Sequence, residues 1–327
     1  MATDLSIRSG LANHNTKFQI LWDEAIESAD PGPYGQWTQD IDAGGAQSTT
    51  IGFLANLPGW VRWRGSKEVK DMRTYTQSIT YEKFHSTMAQ PRDLVEGDQT
   101  GALNAALQSW ISQNVTDCYD TFVAESFDGN SGAGPTGFDA VSLFSASHPH
   151  APSGATQSNL GSGTNLSHAA LRAVEAAGGL MVQENGRPLR LDYNVCRVGP
   201  YLKRRALELF STDRVVIVNQ AGVTDTLRST TSTDDINAAA TRSNTFANTM
   251  QVVVDHRVTT YYTTFIDTRR GFKPMVLFKV RAPEPISQTD MDSPERFNFD
   301  NYMYSVEADF GVASGHWYSA YRLTGTA

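Results

Sequence analysis

Apolar side chains recur every three or four residues along one long stretch of the chain, residues 99–126. The members of this stripe are Leu103, Ala106, Leu107, Trp110, Ile111, Val115, Cys118, Tyr119, Phe122 and Val123. Their spacing matches the 3.6-residue period of an amphipathic helix, and Asp98 can cap its start. At 1.5 Å per residue this helix is about 40 Å long. It must therefore pack against a sheet or a neighbour along much of its length.

The same spacing predicts three shorter helices. The first occupies residues 13–29 and ends at the Pro-Gly-Pro run 31–33. The second runs from Ser167 toward Gln183, and the third has Pro200 in its first turn. The inward positions are Phe18, Leu21, Trp22, Ala25 and Ile26 in the first helix and Leu202, Ala206, Leu207 and Phe210 in the third.

The segments rich in β-branched and aromatic residues predict strands. Residues 51–90 form a two-stranded excursion with a return strand. Further strands are predicted at Asn194–Val198, Gln251–Val254, Val258–Phe265, Pro274–Arg281, Tyr302–Phe310 and Trp317–Leu323. With the helices between them, these strands predict an α+β chain.

Two polar segments interrupt this order. Residues 128–137 are a glycine-rich insert, and residues 224–246 are rich in Ser, Thr and Asp. We expect both segments to lie on the surface with few contacts. Shortening the insert should then be tolerated better than any change in the long helix.

The composition narrows the classes of function. With 40% hydrophobic and 19% charged residues, most of the chain should be folded. No apolar run approaches the roughly 18 residues of a membrane-spanning helix, and the N-terminus is not a secretory signal. Cys118 and Cys196 predict buried free thiols in a reducing compartment. The net charge of −8 argues against a protein that grips DNA phosphates.

Signals for catalysis or ligand binding are weak. The Gly132–Gly137 run fits G-x-G-x-x-G but follows no clear strand. His148, His150 and His168 lack a cysteine or acidic ligand at zinc-site spacing. Glu125 and Asp128 form a carboxylate pair only because both follow the long helix. We therefore expect no catalytic, cofactor-binding or metal-binding residues and no cofactor; a soluble hydrolase using His148 or His150 is the alternative.

Four short motifs occur in a fixed order. They are Phe53–Trp60 with Trp63-x-Gly65 and Glu68–Met72; Phe144-x-x-x-His148-Pro149 with Ser158–Gly161; Glu184–Leu189; and Lys273-Pro274 with Arg281–Glu284 and Trp317–Tyr321. The ordered set, which extends over roughly residues 15–323, resembles the Mu-like prophage major head subunit family. The insert at 128–137 and the loop at 224–246 depart from the family pattern.

The resemblance implies the Hong Kong 97-type phage capsid fold. Its parts would be an N-terminal arm at 1–45, an extended loop (E-loop) at 46–75, a peripheral (P) domain at 76–165, an axial (A) domain at 166–290 and return strands to the P domain at 291–327. The P domain would contain the spine helix 99–126 and the loop insert. The implied function is a major capsid protein that self-assembles into hexamers and pentamers, forming the icosahedral shell that encloses phage DNA.

The implied partners are other copies of the chain, scaffold and portal proteins during assembly, and a decoration protein. The protein would enclose double-stranded DNA without sequence-specific binding and have no membrane partner. Its place would be the virion, after assembly in the host bacterial cytoplasm. Another virion part, such as a tail tube or a decoration protein, is a further alternative.

The E-loop has too few apolar residues for a core of its own, so we expect it to be stabilised by a neighbouring subunit. The candidates for this inter-subunit contact are Trp60, Arg62, Trp63, Arg64 and Lys67. Local turn packing is the alternative for the two tryptophans. For Lys67 and Lys70, a covalent cross-link like that of the type member of the fold is weighed against solvated side chains, and solvated lysines are favoured.

Overall fold

The structure is a computed structural model. It describes residues 18–27, 32–42, 44–46, 48–55, 65, 73–96, 102–149, 155–183, 186–212, 214–217, 240–269, 271, 273–289 and 298–326. The contact candidates Trp60, Arg62, Trp63, Arg64 and Lys67 lie outside the described residues. So do Asp98, His150 and residues 218–239, which include most of the predicted polar loop.

The described residues form both helices and strands. The helices are α1 (18–27), α2 (Arg92–Glu96), α3 (Ala102–Gly132), α4 (His168–Leu180) and α5 (Lys203–Ser211). The strands are β1 (Thr38–Asp42), β2 (Ser48–Ala55), β3 (Arg73–Thr80), β4 (Glu82–Pro91), β5 (His148–Pro149), β6 (Thr156–Gln157), β7 (Leu160–Ser162), β8 (Val195–Val198), β9 (Arg214–Ile217), β10 (Ala240–Ser243), β11 (Gln251–Val254), β12 (Tyr262–Ile266), β13 (Met275–Gln288), β14 (Asn301–Ser314) and β15 (Ala320–Thr324).

A four-stranded sheet has the order β1-β13-β14-β4, with β1 parallel to β13 and the other pairs antiparallel. Alternate side chains of β14 are buried, as expected for a strand with one covered face. This covered face packs against α1 and the first half of α3. The packed side chains include Phe18, Trp22, Leu107, Ile111, Tyr302, Tyr304 and Val306.

A five-stranded sheet has the order β11-β8-β12-β15-β7. The central strands β8 and β12 are buried almost throughout. In β12 every residue is β-branched or aromatic, as expected for a strand covered on both faces. Helices α4 and α5 pack on this sheet. Their shared core includes Leu171, Val174, Cys196, Val198, Ala206, Phe210, Phe265 and Leu323.

The long helix α3 confirms the helix that the apolar stripe predicts over residues 99–126, with its end shifted. Helical geometry stops at Gly129, where ψ is 177°, and Asn130 and Ser131 have positive φ angles. Leu107, Ile111 and Val123 are buried as the stripe predicts. Ala106, by contrast, is exposed, because it lies at the edge of the stripe, away from the four-stranded sheet.

Two other inward predictions are wrong. Ile26 in α1 is 48% exposed, and Leu207 in α5 is 40% exposed. In α5 the buried positions are instead Ala206, Leu209 and Phe210. Helix α4 begins as predicted, because the Ser167 hydroxyl accepts a hydrogen bond from the Ala170 N–H at 3.2 Å.

The expectation of a surface insert at 128–137 is also wrong. Gly132 and Gly134 are buried, and both have positive φ angles. A Cβ atom at Gly132 would overlap the ring of Tyr262 in β12. The glycines here allow close packing and left-handed backbone, and they do not form a free surface loop.

The predicted domain boundaries stay a prediction. The strand pairing shows how two strands of the predicted A domain and return segment are placed. Strand β13, inside the predicted A domain, is hydrogen-bonded to β1 and β14. Strand β15, among the predicted return strands, lies between β12 and β7. Among the described helices, none is long and apolar enough to cross a membrane.

Candidate functional site

A cluster of buried charges lies where α3 meets the five-stranded sheet. Asp128, at the end of α3, accepts two hydrogen bonds from Arg197 of β8, at 3.0 and 2.7 Å. It accepts a third from Arg322 of β15 at 2.6 Å. Arg197 also donates to Asp255 from Nε at 2.9 Å and from Nη2 at 2.6 Å. We call these four residues the arginine hub.

The arginine hub compensates its own charges in the interior. Arg197 is 1% exposed and Arg322 is fully buried, and two carboxylates face the two guanidinium groups. Buried charges are tolerated only when they are paired and hydrogen-bonded in this way. Arg322 also stacks over the Phe144 ring, with 3.9 Å between the guanidinium carbon and the ring centroid.

The hub also supplies hydrogen bonds at the end of α3. Arg322 Nη1 donates to the carbonyl of Phe127 at 3.3 Å and to that of Gly132 at 2.7 Å. The last carbonyls of a helix have no partner within it, and the helix dipole makes this end negative. The two arginines therefore fix where α3 ends and how it meets the sheet.

The pKa values in the hub reflect burial opposed by ion pairing. Burial acts to raise the pKa of Asp128, but Arg197 and Arg322 outweigh it and hold that pKa below its ordinary value. Burial lowers the pKa of Arg322 to about 10, although Asp128 acts in the opposite direction. The Asp128–Arg322 pair is therefore charged at neutral pH.

A second ion-pair cluster joins α3 to the turn after β11. Arg257 pairs with Asp117 at 2.5 Å and with Asp120, and its Nε donates to the Thr121 hydroxyl at 3.2 Å. Burial raises the pKa of Asp120, and Arg257 partly offsets this effect. Together with the hub, these contacts hold the five-stranded sheet against the second half of α3.

His148, the histidine of the alternative hydrolase reading, is fully buried. Its Nδ1 lies 2.6 Å from Asp139 Oδ2, and its Nε2 lies 3.2 Å from Asn159 Oδ1. The ring stacks on Trp317, with centroids 4.1 Å apart. Because both ring nitrogens have partners and the ring is enclosed, this geometry is that of a structural histidine.

Neither the histidines nor the two cysteines form a metal-binding or reactive-thiol site in the described part of the chain. Within it, no group of three or more His, Cys, Asp or Glu side chains is arranged to hold a metal ion. Both cysteines are free. Burial raises the pKa of the Cys118 thiol to about 11 and raises that of Cys196 further, so neither is a thiolate at neutral pH.

A candidate assembly surface is the antiparallel pair β2–β3 at the base of the predicted E-loop. One face is polar and exposed; its described members are Ser48, Thr50, Gly52, Thr76, Ser78 and Thr80. The other face is fastened to the subunit: Ile79 packs with Val276 and Phe278, and Gln77 donates to the Thr136 carbonyl at 3.1 Å.

A second candidate surface is the outer face of the four-stranded sheet, opposite α1 and α3. On the edge strand β4, Lys83, His85, Thr87 and Ala89 are exposed, while the alternating Phe84 and Met88 pack against the core. On β13 the exposed positions are Ala282, Glu284, Ile286 and Gln288. Among the described residues, nothing covers these positions.

The sequence reading missed the arginine hub. A signal was present, because Arg197 interrupts the otherwise apolar run Val195–Val198, and strands of such apolar composition are usually buried on both faces. An arginine in that setting requires a carboxylate partner. Its partners, however, lie 69 residues earlier and 58 residues later in the chain, and no local pattern connects them.

Comparisons with known proteins identify relatives over most of the chain. The sequence model described as "Mu-like prophage major head subunit gpT" matches residues 11–171 and 229–326, well over half of the chain. No curated protein matches the chain.

Solved structures from three phages are similar in fold. The procapsid of bacteriophage JBD30 matches at 19% identity and a TM-score of 0.53, covering 97% of this chain and 75% of that one. A structure from Microbacterium phage Oxtober96 matches at 17% and 0.52, covering 91% and 92%. The capsid of cyanophage Pam1 matches at 11% and 0.53, covering 89% of each chain. These likenesses confirm the predicted α+β fold of the Hong Kong 97 type.

Proposed function

The chain belongs to the Mu-like prophage major head subunit gpT family, and from this premise we propose how it builds a phage head. It is a major capsid protein, a component of the virion that forms the shell. We propose that its copies assemble into hexamers and pentamers that close an icosahedral shell around double-stranded DNA. A closed shell of identical chains requires that each copy present surfaces complementary to its neighbours.

The exposed polar face of β2–β3 is the observation that supports this proposal most directly. An isolated two-stranded hairpin is at best marginally stable in water, and the contacts that the described residues of this one make with its own subunit lie at its base. We propose that the E-loop lies on a neighbouring subunit and that Trp60, Arg62, Trp63, Arg64 and Lys67 contribute to that contact. Lys67 acts there as a charged side chain without a covalent cross-link.

The outer face of the four-stranded sheet is the proposed seat for the neighbouring E-loop. Its exposed positions are mostly polar or small, like the face of β2–β3. Such surfaces are soluble in the free subunit and can still pair when many copies are brought together. The contact then adds to others around the shell, so each one can be individually weak.

The remaining partners follow from the family and the charge. We propose that scaffold and portal proteins take part in assembly in the host cytoplasm and that a decoration protein binds the finished shell. A net charge of −8 suits a wall along which DNA moves without sequence-specific binding. We propose that the subunit acts without catalysis, a reading supported by the enclosed geometry of His148.

Electron microscopy of the purified chain tests the proposal. Closed shells or rings with six-fold and five-fold symmetry are the expected result. Stacked tubes would indicate a tail-tube protein, and small discrete oligomers that bind preformed heads would indicate a decoration protein. Either of the last two results would overturn the proposed function.

A further inference from the structure

A groove runs along one edge of the four-stranded sheet, between β4 and α3. Its two parts have volumes of about 400 and 630 Å³, and Phe84 and Phe122 border both of them. Along α3 the groove extends from Trp110 to Ser126. The helix rises about 24 Å between these residues, which is the length of about seven residues of extended peptide. We call this cleft the α3–β4 groove.

Strand β4 has one unpaired edge in the described structure. The sheet order places β14 on one side of β4 and no described strand on the other. An edge strand presents N–H and C=O groups that can pair with a further strand. Because β4 forms one wall of the groove, a strand added to this edge would project alternate side chains into the groove.

One end of the groove is acidic. Glu82 and Glu125 border this end, both are exposed, and neither forms an ion pair with a described residue. Gln77 lines the same end, where its Nε2 donates to the Thr136 carbonyl at 3.1 Å. The Gln77 Oε1 atom is buried and accepts no hydrogen bond in the described structure. Two carboxylates and this amide oxygen favour a positively charged donor.

The floor of the acidic end is aromatic. The Phe84 ring lies between Phe122 and Phe310, with 4.2 Å between its centroid and each of theirs. A guanidinium donates to carboxylates through its forked N–H groups and also stacks on aromatic rings, whereas an ammonium is more strongly hydrated. Arginine therefore fits this end better than lysine. None of the described residues that line the groove is an arginine or a lysine.

The other end of the groove is more apolar. Trp110, Val306 and Ala308 line it, and Trp110 is only half-buried. The carboxylate at this end, Asp117, already pairs with Arg257. An apolar side chain is thus the complementary group here, in contrast to the acidic end.

We propose that the α3–β4 groove binds an extended, arginine-bearing segment of another polypeptide by strand addition to β4. Strand addition combines main-chain hydrogen bonds, which give affinity, with pockets for alternate side chains, which give specificity. Arginine side chains of the segment lie between Glu82 and Glu125, and an apolar side chain lies against Trp110. This surface is distinct from the proposed seat of the E-loop, which is the opposite face of the sheet.

The probe is a synthetic peptide, Leu-Thr-Val-Thr-Val-Thr-Arg-Thr-Arg, titrated into the unassembled chain and followed by fluorescence anisotropy. This order suits antiparallel addition to β4, and the reversed sequence suits parallel addition. One of the two should bind saturably, and citrulline in place of each arginine should weaken binding about tenfold or more, because hydrogen bonds to charged groups are lost. Absence of saturable binding by both sequences up to about 1 mM would overturn the proposal.

Variants of the chain locate the binding site. Glu82→Gln and Glu125→Gln should each weaken binding about tenfold. Glu284→Gln is the matched control, because Glu284 is an exposed carboxylate on the outer face of the same sheet, and it should leave the affinity unchanged. Equal affinities of all three variants would place the peptide elsewhere and contradict the proposal.

Strand addition has a signature of its own. Methylating the peptide amide nitrogens at alternate residues gives two peptides, only one of which loses its N–H groups toward β4. One methylated peptide should therefore lose binding and the other should keep it, and equal binding by both would exclude strand addition. Self-association of the chain that Glu82→Gln abolishes, without peptide binding, would identify a second copy as the occupant and overturn the proposal.

Discussion

At the scale of single residues, the arginine hub determines how α3 meets the five-stranded sheet. Among the carboxylates of the described residues, Asp128 is the one that binds both Arg197 and Arg322. Without it, Arg197 keeps Asp255, but Arg322 retains no carboxylate among the described residues. A fully buried guanidinium left without its counter-charge is strongly destabilising.

We therefore expect Asp128→Ala to lower the free energy of unfolding by about 3–5 kcal/mol, the usual cost of breaking a buried ion pair from one side. Glu125→Gln is the matched control, because Glu125 is an exposed carboxylate one turn earlier on the same helix. It should change stability by less than about 0.5 kcal/mol. Urea unfolding measures both variants, and similar losses would mean that the hub contributes little.

His316 makes a prediction for acid pH. Burial lowers its pKa to about 4, whereas an unfolded histidine titrates near 6.5. Between these values the unfolded chain binds a proton that the folded chain does not, so stability falls as the pH falls from about 6.5 to about 4. The loss is on the order of 3 kcal/mol.

His316→Gln should flatten the stability profile across this acid window, as measured by urea unfolding at several pH values. The stabilisation from Asp128 lies in a lower window. Because its folded pKa is depressed, that contribution is present above the ordinary aspartate value and is lost only as the pH falls below it. An unchanged slope between pH 4 and 6.5 in His316→Gln would show that another group is responsible.

At the scale of elements, α3 carries the core beneath the four-stranded sheet. Ile111 is fully buried between α1 and β14, whereas Gln113 is exposed. Ile111→Ala should destabilise the subunit by about 2–5 kcal/mol, and Gln113→Ala should have an effect below about 0.5 kcal/mol. Trp110 is only half-buried, so Trp110→Ala should cost less than a full core aromatic. Equal unfolding midpoints for the Ile111 and Gln113 variants would place the buried face elsewhere.

The end of α3 allows a comparison of two neighbouring glycines. Gly132 has φ +86° and no space for a Cβ, whereas Gly129 has an ordinary φ and open surroundings. Gly132→Ala should therefore remove most soluble subunit or lower its unfolding midpoint sharply. Gly129→Ala should be neutral or stabilising by about 0.4–1 kcal/mol. Soluble yield and thermal unfolding distinguish them, and equal tolerance would contradict the close contact with Tyr262.

These elements also show what the sequence can predict. The stripe of α3 and the start of α4 at Ser167 are local patterns, and both are confirmed. The prediction that Leu207 is buried was wrong, because some apolar residues of a folded protein stay exposed and helical periodicity does not identify which ones. The prediction of a surface loop at 128–137 was wrong, because glycine occurs both in free loops and where the backbone packs closely. Only the contact with the distant Tyr262 shows that close packing applies here. The hub was missed because its members meet only after folding.

At the scale of the whole molecule, the E-loop residues should matter for the shell and not for the subunit. Trp60→Ala with Trp63→Ala should leave urea unfolding of the free chain unchanged, since we propose that these side chains contact a neighbour. Head formation should be lost or the heads should be less heat-resistant. Electron microscopy and a thermal assay of particles measure this, and heads of normal yield and heat resistance would exclude an essential clamp.

The pairing order of the two sheets has a consequence for synthesis. Strands β14 and β15 occupy interior positions, β14 between β13 and β4 and β15 between β12 and β7. Neither sheet can complete its strand pairing until the ribosome has made and released these late residues. A growing polypeptide therefore lacks the finished surfaces of the subunit, and a product of interrupted translation lacks them permanently. The fold in this way restricts recruitment into the head to chains that have been translated through β15.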